Sequence, residues 1–288
     1  MIRRAEVARL AREANVRFDI VEHDYCIGWM LFGLSRTRLV NGLVFKGGTA
    51  IRKCYFPDYR FSADLDFTCL ADAIPSDRLQ PLLDEACRIA TDASGVEYSL
   101  ERFEQRRDVT GKEAHVAKVI YRGPSQRRPP LPKIELDLTY YEQVVLGAAR
   151  LPIRHPYSDG FDTEILAYRL EEILAEKLRA ILQQKLRVPR PRDYYDLWEL
   201  LVRRQLGLDK PGLLRAFGAK CRYKAVQFTS PEDFFAPDLI EKNRGAWQTS
   251  IGRQVGRVEG FDGVITELRA ALGELFGEER CGNGDVVI

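Results

Sequence analysis

Two aspartates separated by one residue follow a glycine-rich turn in the first half of the chain. Gly47, Gly48 and Thr49 form the turn, and Asp64 and Asp66 come after it. Adjacent glycines let the backbone approach a ligand closely, and the N–H groups at the start of a helix attract phosphate. Two carboxylates spaced by two residues project from one face of a strand, where they can share a divalent metal ion. The segment therefore predicts a phosphate cradle beside a metal clamp, the two parts that a nucleotide-transferring site needs.

A second acidic strand carries the candidates for a third carboxylate. In the run from Lys133 to Thr139, Glu135 and Asp137 alternate with apolar residues, so both carboxylates lie on one face. Three acidic groups on adjacent strands repel one another unless a cation lies between them. Mg²⁺ (or Mn²⁺) suits this arrangement, because Mg²⁺ binds a few carboxylates together with water and substrate phosphates. The pattern predicts a metal site and leaves Glu135 and Asp137 open as its third ligand.

The elements that position these residues follow from the spacing of apolar residues. Strands are predicted for residues 42–45, 64–70, 114–121 and 133–140. In the second of these strands Leu65 and Phe67 face inward and the aspartates face outward. Helices are predicted within residues 4–40, at 50–55, at 76–94 and, almost without interruption, from about 163 onward. We therefore predict an α+β protein with a mixed α/β half (residues 1–160) followed by a helical half (residues 161–288).

Composition restricts the class of protein. The 288 residues are 45% hydrophobic and 30% charged, with a net charge of +2, as in a globular protein with a sizeable core. The six cysteines include no Cys-x-x-Cys pair and there are three histidines, which argues against a zinc site and for a reducing compartment. The first residues are charged rather than apolar, and the longest apolar stretch (27–34) is too short to cross a bilayer. We expect a soluble, cytoplasmic protein with no membrane segment.

Two other classes of phosphate-handling enzyme do not fit the sequence. His23 and Asp24 are adjacent, as in some metal-dependent phosphohydrolases, but the further histidines that such a site needs are missing. The chain also contains no Gly-x-x-x-x-Gly-Lys-Ser/Thr loop, which argues against a P-loop NTPase. The glycine turn and the aspartates remain the strongest chemical signal.

Four motifs, spread over both halves of the chain, share the order found in one known family. They are Lys-Gly-Gly-Thr-Ala-Ile (46–51), Arg-Phe-Ser-Ala-Asp-Leu-Asp-Phe (60–67), Glu-Ile-Leu-Ala-Glu-Lys-Leu-Arg-Ala (172–180) and Arg-Asp-Tyr-Tyr-Asp-Leu (192–197). Together they resemble the AbiEii/AbiGii group of nucleotidyltransferase toxins in the DNA polymerase beta-like nucleotidyltransferase superfamily. The resemblance implies a small mixed sheet flanked by helices, a helical domain after it, and a bacterial type IV toxin–antitoxin setting.

Lys177 and Asp193 are the candidate site residues of the helical half. Lys177 falls within the apolar stripe of a helix predicted from Glu164 to Leu186, and a lysine directed at a core must reach solvent or meet an anion. For Lys185, two turns later, we expect the side chain to reach solvent. Asp193 begins the next helix, where a carboxylate also stabilises the helix dipole. The resemblance implies that Lys177 binds the triphosphate and that Asp193 contributes to the active site by orienting that lysine.

The expected reaction is the Mg²⁺-dependent transfer of a nucleotide from an NTP to an acceptor, with release of pyrophosphate. Catalytic roles are expected for Asp64, Asp66, Asp137, Lys177 and Asp193. Metal ligands are expected to be Asp64, Asp66 and Asp137, which we favour over Glu135. Phosphate contacts are expected from Gly47, Gly48, Thr49, Ser62 and Lys177. The resemblance implies that the 3′ end of tRNA is the leading acceptor and that a cognate antitoxin is a partner.

Basic segments with neighbouring aromatic residues suit a single-stranded RNA end. They are Arg127 and Arg128, residues 185–192 and residues 220–224. Most charged segments are only solvated faces, so these are weaker indicators than the acidic residues. The sequence leaves open nucleotidylation of a protein or small molecule, and a non-catalytic module of the same fold that binds RNA or a partner protein.

Overall fold

The chain divides into two compact units in a computed structural model that describes residues 1–70, 73–107, 111–183 and 188–277. Unit 1 is Met1–Tyr168 and unit 2 is Arg169–Ile288. The predicted boundary at residue 160 is too early, because residues 164–168 form a strand of the unit 1 sheet. Lys185 lies outside the described residues. No helix within the described ranges is both long enough and apolar enough to span a membrane.

Four α-helices in the described part of unit 1 precede or lie between the first strands of one sheet, and the later strands follow one another directly. The helices are α1 (Arg4–Glu13), α2 (Phe18–Ser35), α3 (Gly47–Ala50) and α4 (Leu79–Ser94). A π-helical turn (Ile51–Tyr55) continues α3 directly. α2 is mostly apolar and packs against α1 and α4. Glu22 and Asp24 are nevertheless buried in α2, and buried charges of this kind need partners.

One mixed sheet of seven strands forms the centre of unit 1 as described. The strands are β1 (Leu43–Lys46), β2 (Leu65–Cys69), β3 (Glu97–Arg107), β4 (Glu113–Arg122), β5 (Lys133–Tyr140), β6 (Ala148–Pro152) and β7 (Glu164–Tyr168). Their spatial order is β3-β4-β5-β2-β1-β7-β6. β2 pairs parallel with β5 and antiparallel with β1, so the strand that carries the aspartates is central.

The strands predicted around the acidic residues are confirmed. β1, β2, β4 and β5 agree with the predicted segments to within two residues at each end. Leu65 and Phe67 are fully buried, whereas Asp64 is exposed and Asp66 is half-buried. The predicted direction of these side chains is therefore correct, as is the α+β class.

Two predicted helices have different bounds in the structure. The helix predicted from Glu164 is wrong in its first part, because residues 164–168 pair with both β1 and β6. The helix α5 begins only at Leu170. The helix predicted at 50–55 begins earlier, at Gly47, so both glycines belong to its first turn.

Unit 2 consists of helices and the loops that connect them in its described residues. Its helices are α5 (Leu170–Gln183), α6 (Pro191–Trp198), α7 (Lys210–Tyr223), α8 (Pro237–Ile251) and α9 (Phe261–Gly277). α5 packs against α6 and α7, and α6 packs against α8 and α9. A cluster of aromatic rings (Phe217, Phe228, Phe234 and Phe276) lies in its core.

Candidate active site

The turn between β1 and α3 brings the backbone against the acidic strand. Gly47 has a positive φ of 77°, and a Cβ atom on it would lie 2.4 Å from Oδ2 of Asp66. A Cβ atom on Gly48 would lie 2.8 Å from a guanidinium nitrogen of Arg60 and 3.2 Å from the Ser62 hydroxyl oxygen. The first N–H groups of a helix have no acceptor within that helix. The backbone of the turn therefore lies beside a carboxylate, a guanidinium and a hydroxyl.

The Thr49 side chain holds the loop that carries the first aspartate. Thr49 is fully buried, and its hydroxyl donates a 2.6 Å hydrogen bond to the backbone carbonyl of Asp64. The hydroxyl is thus engaged by the protein itself.

Asp66 and Asp137 are direct neighbours on the parallel strands β2 and β5. Residues paired in this way are about 4.8 Å apart at the backbone and project from the same face of the sheet. On the other side of β2, Lys46 of β1 is paired with Asp66. A row of one lysine and two carboxylates therefore crosses three adjacent strands.

The electrostatic environment distinguishes the two candidates for the third carboxylate. Burial, with the negative charges of Glu135 and Asp64, raises the pKa of Asp137 above its ordinary value. Glu135 instead forms an ion pair with Lys118 of β4, with 2.9 Å between Nζ and Oε2. A cation beside Asp137 would therefore stabilise its charged form, and its role as the third ligand stays a prediction.

The carboxylates of this region are suitable ligands for a divalent metal ion. The described residues do not, however, form a complete set of ligands. Within the described residues, no three His, Cys, Asp or Glu side chains are grouped closely enough to hold a metal ion. Mg²⁺, however, commonly binds one or two carboxylates and takes its remaining ligands from water and substrate phosphates. The pair of Asp66 and Asp137 supplies such a donor set.

A buried polar network lies on the same face of the sheet as the two carboxylates. Lys46 forms an ion pair with Glu142, and both side chains are about nine-tenths buried. Oε2 of Glu142 also accepts a 3.1 Å hydrogen bond from the Thr139 hydroxyl. The hydroxyl groups of Thr68 and Tyr168 are 2.7 Å apart. The network joins β1, β2, β5 and β7, so it fixes the strands on which the carboxylates lie.

Asp24 of α2 anchors the π-helical turn that follows the glycines. Its carboxylate lies 2.8 Å from Nε of Arg52 and 2.7 Å from Nζ of Lys53, and it accepts a 2.7 Å hydrogen bond from the Tyr157 hydroxyl. Burial alone would raise the pKa of Asp24, but Arg52 and Lys53 lower it well below its usual range. The interior of α2 therefore provides a compensated charge cluster that holds the glycine turn in place.

His23, the neighbour of Asp24, contacts the loop that leads to the first aspartate. Its Nε2 atom lies 3.0 Å from the backbone carbonyl oxygen of Ala63, and its Nδ1 atom lies 2.9 Å from the Tyr121 hydroxyl. Burial lowers the pKa of His23, which favours the neutral imidazole. His23 and Asp24 thus support the loop and the turn respectively, rather than binding a metal ion.

In unit 2, Lys177 is buried and paired with two carboxylates of α6. Its Nζ atom lies 2.9 Å from Oδ1 of Asp193 and 2.5 Å from Oδ2 of Asp196. Asp196 is fully buried, and Asp193 also lies 3.5 Å from a guanidinium nitrogen of Arg190. The predicted inward direction of Lys177 is confirmed, and the pairing with Asp193 fits the orienting role that the family resemblance implies.

The basic residues of segment 220–224 are not all exposed. Lys220 is buried, and its Nζ atom lies 3.0 Å from Oε1 of Glu172 and 3.3 Å from Oε1 of Glu176. This lysine therefore stabilises the packing of α7 on α5 and is unsuited to RNA. Arg127 and Arg128 of unit 1, in contrast, are exposed.

A family model described as the nucleotidyl transferase AbiEii toxin of type IV toxin–antitoxin systems matches residues 29–267. The match covers most of the chain, including the glycine turn, the acidic strands and α5 and α6. The chain belongs to the AbiEii family. It is therefore a nucleotidyltransferase of the toxin–antitoxin type.

Two solved structures are similar in fold to this AbiEii protein. MenT4, a nucleotidyltransferase toxin of Mycobacterium tuberculosis, matches with a TM-score of 0.67 and 24% identity, over 97% of this chain and 93% of that one. JHP933 of Helicobacter pylori matches with a TM-score of 0.60 and 16% identity, over 92% of this chain and 95% of that one. At these identities the likeness supports the fold. No curated protein sequence is significantly similar to this chain.

Sequence reasoning missed three residues that support the candidate site. Arg60 stands in a recognised motif, but only the fold brings its guanidinium to Gly48. His23 and Asp24 were considered only as metal ligands. A charged pair inside the otherwise apolar α2 was the available signal for a buried supporting role.

Proposed function

We propose that this AbiEii protein transfers the nucleotidyl group of an NTP to a hydroxyl group of an acceptor. The acceptor oxygen bonds to the α-phosphorus, the bond between that phosphorus and the bridging oxygen breaks, and pyrophosphate leaves. The observation that carries the proposal is the in-register pair of Asp66 and Asp137, with Oδ2 of Asp66 against the Gly47 turn.

The acidic residues are proposed to hold the metal and to accept a proton. Asp64, Asp66 and Asp137 are the proposed ligands of Mg²⁺ or Mn²⁺, which would neutralise the charge on the phosphates and on the leaving pyrophosphate. Asp137, in register with Asp66, is proposed either to complete the metal site or to take the proton of the acceptor hydroxyl. Asp64, exposed directly before β2, is accessible to a nucleotide.

The glycine turn is proposed to bind the phosphates. Its support is the arrangement around Gly48, where Ser62 adds a hydroxyl and Arg60 adds a positive charge to the backbone N–H groups. Thr49 would contribute its N–H, since its hydroxyl is bonded to the protein. Lys177 is the proposed further cation for the triphosphate, and Asp193 is proposed to orient it.

The 3′ end of tRNA is the proposed acceptor, and an antitoxin is the proposed partner. An RNA terminus offers a hydroxyl group to the α-phosphorus, and the exposed Arg127 and Arg128 provide charges suited to RNA phosphates. The antitoxin follows from the toxin–antitoxin description of the family. The site chemistry described above is the same for other hydroxyl acceptors, so the acceptor requires a direct test.

The test incubates the purified protein with each of the four NTPs, labelled at the α-phosphate, with Mg²⁺ and total tRNA. We expect label to enter the RNA with one or two of the NTPs, to disappear with a chelator and to return when Mg²⁺ is restored. Prior oxidation of the RNA 3′-terminal diol should prevent labelling. The matched control is the Asp66→Asn variant, which keeps the shape of the side chain and removes its charge.

Each outcome of this test decides between distinct accounts. Label in RNA that requires the 3′ terminus supports the tRNA proposal. Label in a protein, or in a small molecule supplied by cell extract, would retain the chemistry and replace the acceptor. Transfer to no acceptor, even with cell extract, would contradict the enzymatic proposal and favour a binding module.

A further inference from the structure

Two consecutive backbone carbonyl groups before β2 accept hydrogen bonds from side chains on two different helices. The Ala63 carbonyl oxygen lies 3.0 Å from Nε2 of His23 on α2. The Asp64 carbonyl oxygen lies 2.6 Å from the hydroxyl of Thr49 on α3. The peptide units on both sides of the Asp64 Cα atom are thus held by side chains.

These two hydrogen bonds hold a residue whose backbone the sheet does not align. The pairing of β2 with β5 begins at Leu65, and its pairing with β1 ends at Asp66. Asp64 lies outside both registers, so its backbone is not aligned by ladder hydrogen bonds with those strands. Side-chain donors therefore take over the role of the ladder at this residue.

The chemistry of the contacts determines the tautomer of His23. A carbonyl oxygen can only accept, so the Ala63 contact requires the proton on Nε2. In the neutral ring Nδ1 then accepts, and the Tyr121 hydroxyl of β4 donates to it over 2.9 Å. Tyr121 thereby orients the imidazole ring of His23, and the ring in turn holds the backbone at Ala63.

We propose that His23 and Thr49 are positioning residues for Asp64: together they clamp the two peptide units that flank it and so aim its carboxylate at the metal. The inference deepens the proposed function and rests on it. His23 acts through the Ala63 carbonyl and touches no reacting atom. The hydroxyl of Thr49 has this role in addition to the proposed phosphate contact of its backbone N–H.

The first experiment compares two substitutions of His23. His23→Leu removes the donor, whereas His23→Gln places an amide N–H where it can still reach the Ala63 carbonyl. We expect His23→Leu to lower kcat for nucleotide transfer by about 10- to 100-fold, because a displacement of about 1 Å is costly in an active site. The KM for the NTP should stay within about twofold, since the phosphate contacts are intact. His23→Gln should recover most of kcat.

The matched control is the same substitution at His115, which is buried whereas His23 is half-buried. His115 of β4 is paired with Leu138 of β5, one position from the pair of Val116 and Asp137, so its side chain lies on the opposite face of the sheet. His115→Leu should therefore leave kcat and KM unchanged. Equal losses in His23→Leu and His115→Leu would indicate a general effect of losing an imidazole and would overturn the proposal.

A second pair of variants tests the hydrogen bond from the Thr49 hydroxyl to the Asp64 carbonyl. Thr49→Val keeps the shape and the backbone N–H but removes the hydroxyl, and Thr49→Ser keeps the hydroxyl. We expect a loss of kcat in Thr49→Val comparable to that in His23→Leu, and near-parental kcat in Thr49→Ser. If His23→Leu does not fold, this pair carries the same test.

Mn²⁺ binding provides a readout that does not depend on turnover. With Mn²⁺ alone, titrated into the nucleotide-free protein and followed by electron paramagnetic resonance, we expect about tenfold weaker binding in His23→Leu and Thr49→Val. The His23→Gln, Thr49→Ser and His115→Leu variants should bind Mn²⁺ as the parent does. A purely structural role for His23 would lower the melting temperature without changing kcat or Mn²⁺ affinity, and that result would refute the clamp.

The two measurements also separate this inference from the function on which it rests. A parent protein that binds Mn²⁺ but transfers no nucleotide would contradict the proposed function, while the Mn²⁺ affinities of the variants would still decide the positioning role. An active parent with unchanged affinity and kcat in His23→Leu and Thr49→Val would contradict the clamp alone.

Discussion

The buried carboxylate of Asp24 offers a quantitative test of how the glycine turn is held. Its side chain is 1% exposed, and it forms ion pairs with Arg52 and Lys53 in the turn that continues α3. In Asp24→Asn the shape is kept and the Tyr157 hydrogen bond can still form. The two buried cations, however, lose their counter-charge. The substitution therefore removes the negative charge of Asp24 and changes little else.

The expected cost follows from the depth of this cluster. Removing one partner of a buried ion pair destabilises a protein by about 3–5 kcal/mol, because it leaves an uncompensated charge in the interior. For a unit of this size each kcal/mol lowers the melting temperature by about 2–4 °C. We therefore expect Asp24→Asn to lower the melting temperature of unit 1 by roughly 10 °C.

The pH dependence has a definite sign. Arg52 and Lys53 outweigh the effect of burial and lower the pKa of Asp24 in the folded state. The stability that this carboxylate contributes is thus present above its unfolded-state pKa of about 3.9 and is lost as the pH falls below that value. Asp24→Asn lacks this carboxylate, so its stability does not change with pH for this reason. The difference in stability between the parent and Asp24→Asn should therefore be largest near neutral pH and should narrow in acid.

The assay is thermal unfolding followed by circular dichroism at several pH values, with Asp19→Asn as the matched control. Asp19 lies on the same helix, but its side chain is 49% exposed and pairs only with Arg17 among the ion pairs described. Such a surface pair contributes about 1 kcal/mol or less. Equal melting temperatures for Asp24→Asn and Asp19→Asn would refute the argument that charge compensation holds the turn.

Two further substitutions test the turn and the paired lysine. Gly47→Ala should abolish nucleotide transfer, because it combines a positive φ of 77° with a Cβ only 2.4 Å from Oδ2 of Asp66. Gly147→Ala, at a φ of 73° with no atom within 4 Å, should cost about 1 kcal/mol by thermal unfolding and leave activity intact; equal activity in both would contradict the close-approach argument. Lys177→Met should lower the stability of unit 2 by about 3–5 kcal/mol in urea unfolding, because it leaves the fully buried Asp196 without this cation. Lys177→Arg should lose less, and a Lys177→Met protein as stable as the parent would refute the role of the ion pair.

The strands that carry the site could be predicted because their patterns alternate clearly. β2 and β5 have apolar residues at every second position, so their acidic residues had to lie on the opposite face. β3 was missed because it is an edge strand, and its outer half (Arg102–Arg107) is largely charged. β7 was assigned to a helix because a short apolar run next to a helical stripe does not distinguish the two structures.

The candidate site could be predicted only as far as its local motifs extend. Spacing within a strand places Asp66 and Asp137 on their faces, but the pairing of their strands is a tertiary property. The contact between His23 and Ala63 joins residues 40 positions apart, and no periodicity encodes it. Likewise, no periodicity encodes the contacts of Lys177 with the carboxylates of Asp193 and Asp196. The sequence indicated only Asp193.

The central claim is that the carboxylate of Asp64, directly before β2, is needed for nucleotide transfer. The most direct measurement is the rate at which α-labelled NTP is transferred by the parent, by Asp64→Asn and by Asp162→Asn, an exposed control of the same type. Losing a metal-binding carboxylate removes several kcal/mol of transition-state stabilisation, so Asp64→Asn should be slower by about 10³-fold with its melting temperature unchanged. Asp162→Asn should match the parent. Parental activity in Asp64→Asn would contradict the proposed site.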